Sequence, residues 1–252
     1  TGIATILSVF FSVAAGASVG IYGPLVHLGA FLSRAFNSVF RMNLLSQDMI
    51  LGCGVAAAIS SGFNAPIAGM IFAHEVVLRH FSMRALAPIA IASIASFSIS
   101  SGLFDEVRWL RLDTNVPSIF SLSPGILVSG LFFGMVAVLI TRLQIGLSRK
   151  AGKSDLADWQ LGLMAVAICA FIGLFVPEAL GLGSTALLDM LSLEFGLTTL
   201  FILLLSKIIL TAASTCLGFS LGIFSPSLFI GAAAGGTAGH VLHLVGIPVS
   251  LP

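Results

Sequence analysis

The chain has 252 residues, of which 58% are apolar and 8% charged, with a formal net charge of +1. A soluble domain carries about 25% charged residues, so the composition argues against a soluble enzyme and excludes disorder. The near-zero net charge gives no basic surface for nucleic acid. At roughly 20 apolar residues per crossing, there is room for about ten helical membrane segments. Cys53, Cys169 and Cys216 lie far apart without metal-ligand spacing, so free thiols are expected and no cofactor or metal. The chain opens at Thr1 without a basic stretch and closes at Pro252 after an apolar run. The expectation is therefore a piece of a longer protein, without a cleavable signal peptide.

In chain order, the apolar runs are 2–19, 24–40, 49–61, 66–78, 85–103, 122–141, 160–176, 183–193, 197–217 and 226–245. Several are shorter than a full crossing, and Gly or Pro interrupts them. That pattern predicts broken or re-entrant helices lining a polar site. All are expected to be α-helical, since the ten-residue alternation of a membrane β-barrel is absent. The links around Arg79 and Arg84, and around Arg142, Arg149, Lys150 and Lys153, are richest in cations relative to acids. Two crossings separate them, which predicts both in the cytoplasm and link 105–117 outside.

The sequence also repeats itself. Residues 20–30, which begin Gly20-Ile21-Tyr22-Gly23-Pro24, resemble residues 222–232, which begin Gly222-Ile223-Phe224-Ser225-Pro226. The shared pattern is Gly-Ile-aromatic-x-Pro, with Gly-Ala five residues after the proline, and it argues for two related halves. Pro is favoured at the first helical position, and Gly permits a tight turn just before it. Each motif therefore predicts a helix N-terminus, with unpaired N–H groups and about half a positive charge. Two such ends facing one another would bind an anion without Lys or Arg. Partial charges would also let the ion leave, where a full cation could hold it. The bland reading of either motif alone is a Gly-Pro kink in a membrane helix.

These residues resemble the CLC family of chloride channels and chloride/proton antiporters. Gly222-Ile223-Phe224-Ser225-Pro226 matches the family's G-x-F-x-P in full, and Gly20 to Pro24 fall in its G-R-E-G-P slot. Phe63-Asn64-Ala65-Pro66-Ile67-Ala68-Gly69 resembles its F-N-A-P segment, and Pro177-Glu178-Ala179-Leu180-Gly181 its P-E-x-L-G segment. The resemblance implies an all-α membrane protein, an inverted-repeat helical bundle with discontinuous helices. Residues 1–118 would be the remainder of the first transmembrane repeat and 119–252 part of the second. The family's third anion motif would precede Thr1 and its last helix would follow Pro252, so the bundle is expected to be truncated at both ends.

Carried over by position, the backbone amides of Ile223 and Phe224 would hold a central anion, and those of Ile21, Tyr22 and Gly23 would line an outer site. Gly20, Pro24, Gly222 and Pro226 would shape the two turns. The family's gating glutamate falls on Tyr22 and the arginine before it on Ile21. The antiporters' inner proton-transfer glutamate falls on Val76, while Glu75 matches a neighbouring acid shared with channels. Val cannot relay a proton, and a tyrosine with its ordinary pKa of about 10 relays poorly at neutral pH. The resemblance thus implies passive transport of chloride or a similar small anion, without proton coupling and without enzymatic activity. Its alternatives are an antiporter using other coupling residues and a non-transporting fragment or paralogue. The implied partners are the anion, the lipid bilayer of a plasma (inner) membrane and a second copy in a homodimer.

Weaker signals remain. Lys207 is a cation deep in an apolar run, expected to find a carbonyl or acid. His27 is expected as a hydrogen-bonded core residue. Gly231, Gly235 and Gly239 recur at every fourth residue, which predicts close helix packing. His74-Glu75 begins like a zinc-protease motif, but Leu78 occupies the second ligand position.

Overall fold

The structure is a computed structural model that describes residues 2–14, 16–40, 46–104, 119–192, 195–217 and 222–244. The elements are α1 (Gly2–Ala14), α2 (Tyr22–Phe40), α3 (Gln47–Phe63), α4 (Pro66–Phe72) and α5 (Met83–Leu103). They continue with α6 (Ile119–Ala151), α7 (Asp158–Phe175), α8 (Ser184–Leu191), α9 (Leu197–Cys216) and α10 (Phe224–Leu244). A π-helical turn, Ala73–Leu78, extends α4, and a 3-10 turn, Pro177–Ala179, lies between α7 and α8. Among the described residues, four helices are long and apolar enough to cross a membrane: α5, the stretch Gly125–Ala151 of α6, α7 and α9. The protein is an integral membrane protein. The expected outer link, 105–117, and Arg41 lie outside the described residues.

The chain forms two compact units. One comprises residues 1–10 and 21–108, and α3 is the element on which α2, α4 and α5 pack. Its start is fixed by Ser46, whose side chain accepts from the Met49 N–H at 3.3 Å. Its end is fixed by Asn64 in the left-handed region, φ 55°, whose N–H returns to the Ser60 carbonyl. Pro66 then opens α4 within its first turn. In lipid the apolar drive between helices is weak, so contact must come from close approach and polar side chains. Gly29 of α2 and Gly54 of α3 lie so close that a Cβ on either would collide with the other's carbonyl oxygen. Serines tie the other faces. Ser60 donates to the Ser93 carbonyl at 2.6 Å, Ser93 to the Pro66 carbonyl at 2.7 Å, and Ser96 to the Ala57 carbonyl at 2.9 Å.

The second unit comprises residues 11–20 and 109–252, with α9 at its centre. Within the most apolar stretch of α9, 56% of the residues are buried, against 0% for α6. Leu200, Leu203, Leu204, Ile208 and Leu210 of α9 pack with Phe229, Ile230, Ala233 and Ala234 of α10.

Three expectations are corrected. Helix α6 runs on to Ala151, so Arg142, Arg149 and Lys150 are helical. Arg149 and Lys150 stand in its last turn, where the macrodipole favours cations. A Cβ on Gly231 or Gly235 would meet nothing within 4 Å, whereas one on Gly236, outside the predicted pattern, would meet Leu200. His27 is exposed rather than in the core.

Gly54→Ala is expected to destabilise the protein by about 1–3 kcal/mol through overpacking against α2. Gly130→Ala, whose Cβ meets nothing within 4 Å, is expected to be neutral or stabilising by up to about 1 kcal/mol. Thermal unfolding followed by size-exclusion chromatography checks the opposite signs.

Candidate anion site

The second motif forms the start of α10. Its first helical residue is Phe224, and the carbonyl of Ile223 accepts from the Ser227 N–H at 3.0 Å and the Ser227 hydroxyl at 2.8 Å. The first motif has the same register. Helix α2 opens at Tyr22, and the carbonyl of Ile21 accepts from the Leu25 N–H at 3.1 Å. Both helices thus open two residues before the proline, correcting the expectation that Pro24 and Pro226 stand first. The reason is that no N–H in the first turn is used by the helix itself, so proline is tolerated throughout that turn. The side chains of Ile21, Ile223 and Phe224 are exposed and apolar. These three side chains offer an ion no hydrogen bond, so at their positions the donors are backbone N–H groups.

The glycines that lead the two motifs, Gly20 and Gly222, both belong to the second unit and pair antiparallel, with the Gly20 N–H donating to the Gly222 carbonyl. A Cβ on Gly20 would lie 2.6 Å from the Gly222 oxygen and 3.1 Å from the Ser225 nitrogen. Only glycine permits this approach.

Helix α9 holds the segment leading to Gly20. Ser18, fully buried, shares a 3.1 Å hydrogen bond with Thr211. One turn earlier on the same face, Lys207 is 0% exposed. Its Nζ donates to the carbonyls of Ala179 at 2.9 Å and Gly181 at 2.8 Å, and lies 4.6 Å from the centre of the Phe229 ring. Two carbonyls and a ring face thus surround the ammonium group. Gly181, with φ 56°, in turn donates its N–H to the Gly16 carbonyl at 3.0 Å. The Pro-Glu-Ala-Leu-Gly segment is therefore the partner of Lys207, a link that sequence spacing does not reveal.

Tyr22 is half-buried, and its ring stacks on Phe63 with centroids 3.9 Å apart and planes at 20°. Phe63 belongs to the Phe-Asn-Ala-Pro segment, so the surface beneath the tyrosine is an aromatic ring. Val76 and Glu75 are both exposed on the π-helical turn.

The sequence profile of the voltage gated chloride channel family matches residues 1–252. The chain belongs to that family, the CLC family. It is 29% identical over 94% of its length to a ClcB-like protein of Ralstonia nicotianae that carries a chloride channel name, covering 57% of that protein. It is 30% identical over 88% of its length to a protein of Salmonella arizonae named H(+)/Cl(-) exchange transporter ClcA, covering 48% of it. The chain thus spans about half the length of the curated relatives it matches. Among solved structures, a slow cyanobacterial Cl-/H+ antiporter superposes with a TM-score of 0.79 at 21% identity, over 94% of this chain and 56% of the other. A CLC-type fluoride/proton antiporter superposes with a TM-score of 0.75 at 27% identity, over 94% and 59%. The all-α fold with discontinuous helices is therefore the CLC fold.

Replacing Lys207 with Met is expected to leave two buried carbonyls without their donor, at about 1–3 kcal/mol each. A fall in thermal stability of the purified protein checks it, and an unchanged melting temperature would contradict the assignment of Lys207 as the clamp of this turn.

Proposed function

We propose that the protein moves chloride or a similarly small anion across the membrane passively, in the manner of a channel. The observation that carries this reading is the backbone pairing of Gly20 with Gly222, which sets the starts of two related anion-type motifs side by side within one unit. In this reading the amides of Ile223 and Phe224 hold the central anion. Those of Ile21, Tyr22 and Gly23 line an outer position, and Gly20, Pro24, Gly222 and Pro226 fix the turns. The chloride channel name of the Ralstonia relative supports the substrate. Absence of proton coupling is supported by Val76, which has no titratable group, and by Tyr22, which is neutral at physiological pH. The ring of Tyr22, stacked on Phe63, acts as a side wall of the outer mouth rather than a tethered anion. Residues 1–118 and 119–252 belong to the two inverted repeats, and the protein works as a homodimer in a plasma (inner) membrane.

A second reading is proton-coupled exchange through other residues. The exchanger names of the Salmonella relative and of the fluoride/proton antiporter favour it.

Flux from liposomes containing the full-length protein separates the two. Channel-like transport gives a reversal potential set by the anion gradient alone, whereas uphill proton movement driven by chloride establishes exchange. Gly222→Val is expected to weaken halide binding at least ~tenfold, about 1.4 kcal/mol, in calorimetric titration. Undiminished binding would remove the assignment of Ile223 and Phe224. Tyr22→Ala is expected to preserve or raise flux, and a loss of flux would make the tyrosine a required element of the path.

A further inference from the structure

Helices α2 and α5 both pack along α3, and they leave a crevice between them that α3 floors. One part of it is a cavity of about 400 Å³ and the other a cavity of about 330 Å³. Ser33 and Phe36 line both, so the two form one continuous space. Small residues of α3, Gly54, Ala57 and Ala58, make the floor deep. Leu32, Phe36 and Ile91 line the walls and are themselves exposed, so the crevice opens outward.

The shape and chemistry of the space select its occupant. Three serines line it, and each hydroxyl already donates to a backbone carbonyl: Ser33 to Ala30 at 2.9 Å, Ser61 to Ala57 at 3.1 Å and Ser96 to Ala57 at 2.9 Å. An apolar space whose donors are satisfied does not call for water. Along α3 the crevice runs from Ile50 to Ser61, about 16 Å at 1.5 Å per residue. That is the depth of one leaflet, half of a hydrocarbon core about 30 Å thick. Spread over that length, the two cavities give a cross-section of at most roughly 45 Å², against roughly 80 Å² for a helix 10 Å across. The space admits an extended hydrocarbon chain and is too narrow for a helix.

Apolar contact alone does not select a lipid, because the bilayer offers an acyl chain the same surroundings. Selection needs the headgroup, and charge supplies it. Pro88 and Ile91 of α5 line the crevice. Arg84, exposed, precedes them by one and two turns on the same face of the helix. Helix α5 opens beside it at Met83, where Ser82 makes no side-chain cap. First-turn N–H groups are thereby left for an acceptor such as a phosphate oxygen. Asp48, the acid in the first turn of α3, stands about 200° round that helix from the lining residue Ile50, so it faces away. The cation-rich link around Arg79 and Arg84 reads as cytoplasmic, and anionic lipid is a feature of that leaflet.

We propose that this crevice holds one acyl chain of an anionic phospholipid, with the phosphate at Arg84 and the start of α5. The site lies wholly within the first unit and does not depend on the transport reading.

The test is native mass spectrometry of the full-length protein in detergent, incubated with dioleoyl phosphatidylglycerol or dioleoyl phosphatidylcholine at equal concentration. The expected result is one tightly retained phosphatidylglycerol per subunit, preferred over phosphatidylcholine by about fivefold, as one surface cation gives. Ala92→Phe, which fills the crevice from α5, should lose both lipids. Arg84→Gln should retain a lipid without the preference, and it carries the test if the Ala92 variant fails to fold. The control Leu131→Phe, on the exposed face of α6, should behave as the unsubstituted protein. Retention of neither lipid by the unsubstituted protein, the outcome if another segment of the full-length chain or a second copy fills the crevice, overturns the proposal. So does equal retention of the two lipids, an undiminished preference in Arg84→Gln or a lipid kept by folded Ala92→Phe.

Discussion

Lys207 brings a full charge into a helix that is otherwise apolar, and in a membrane that charge must be solvated by the protein. The backbone carbonyls of Ala179 and Gly181 and the ring of Phe229 supply that solvation. Much of the local architecture follows. The carbonyls can reach the ammonium only because α7 stops at Phe175 and the chain turns through the 3-10 segment, then through Gly181 and Gly183 in the left-handed region. The turn in turn holds Gly16, and Ser18 reaches Thr211 one helical turn beyond Lys207. The segment 16–20 is thereby seated on α9 through Ser18, and its last residue pairs with Gly222. The geometry at Gly20 and Gly222 thus depends on a cation that touches neither glycine.

Among its described residues, the first unit solves the same problem without a buried cation-to-carbonyl clamp. Its helices meet where side chains are smallest, at Gly29 and Gly54, and where serines reach across to carbonyls. Ser93 is informative because it acts twice: its hydroxyl donates to the Pro66 carbonyl while its own carbonyl accepts from Ser60. Pro66 stands in the first turn of the short α4. The break between α3 and α4 is thereby stapled to α5, which keeps a discontinuous helix fixed in place.

Much of this was legible in the sequence, for identifiable reasons. Apolar runs bounded by Gly and Pro located the helices, because in lipid a helix pairs its own backbone. The duplicated motif located both helix starts to within two residues. It did not fix their register, because proline is permitted anywhere in a first turn and so marks the turn rather than its first residue. The end of α6 is hidden because a run of charge resembles a link, although Arg149 and Lys150 suit the last turn of a helix. Lys207 was recognised as exceptional, yet its partners are carbonyls, which every residue possesses and no sequence pattern can single out. The π-helical turn was equally hidden. Its residues, Ala73 to Leu78, include ordinary helix formers, and the turn packs against α3.

The fully buried cation and the motif helix ends distribute positive potential differently. The ammonium group of Lys207 is saturated by two short hydrogen bonds and a ring face, so its charge acts on backbone already fixed in place. The motif helices carry only partial charge, spread over N–H groups at their first turns. An ion held by a saturated, buried ammonium would have to displace carbonyls to bind at all. An ion held by helix ends replaces water around donors that are already oriented, and it can leave by the reverse exchange. In the proposed reading, placing the full charge in the scaffold and the fractional charges at the motif ends therefore separates stability from ion release.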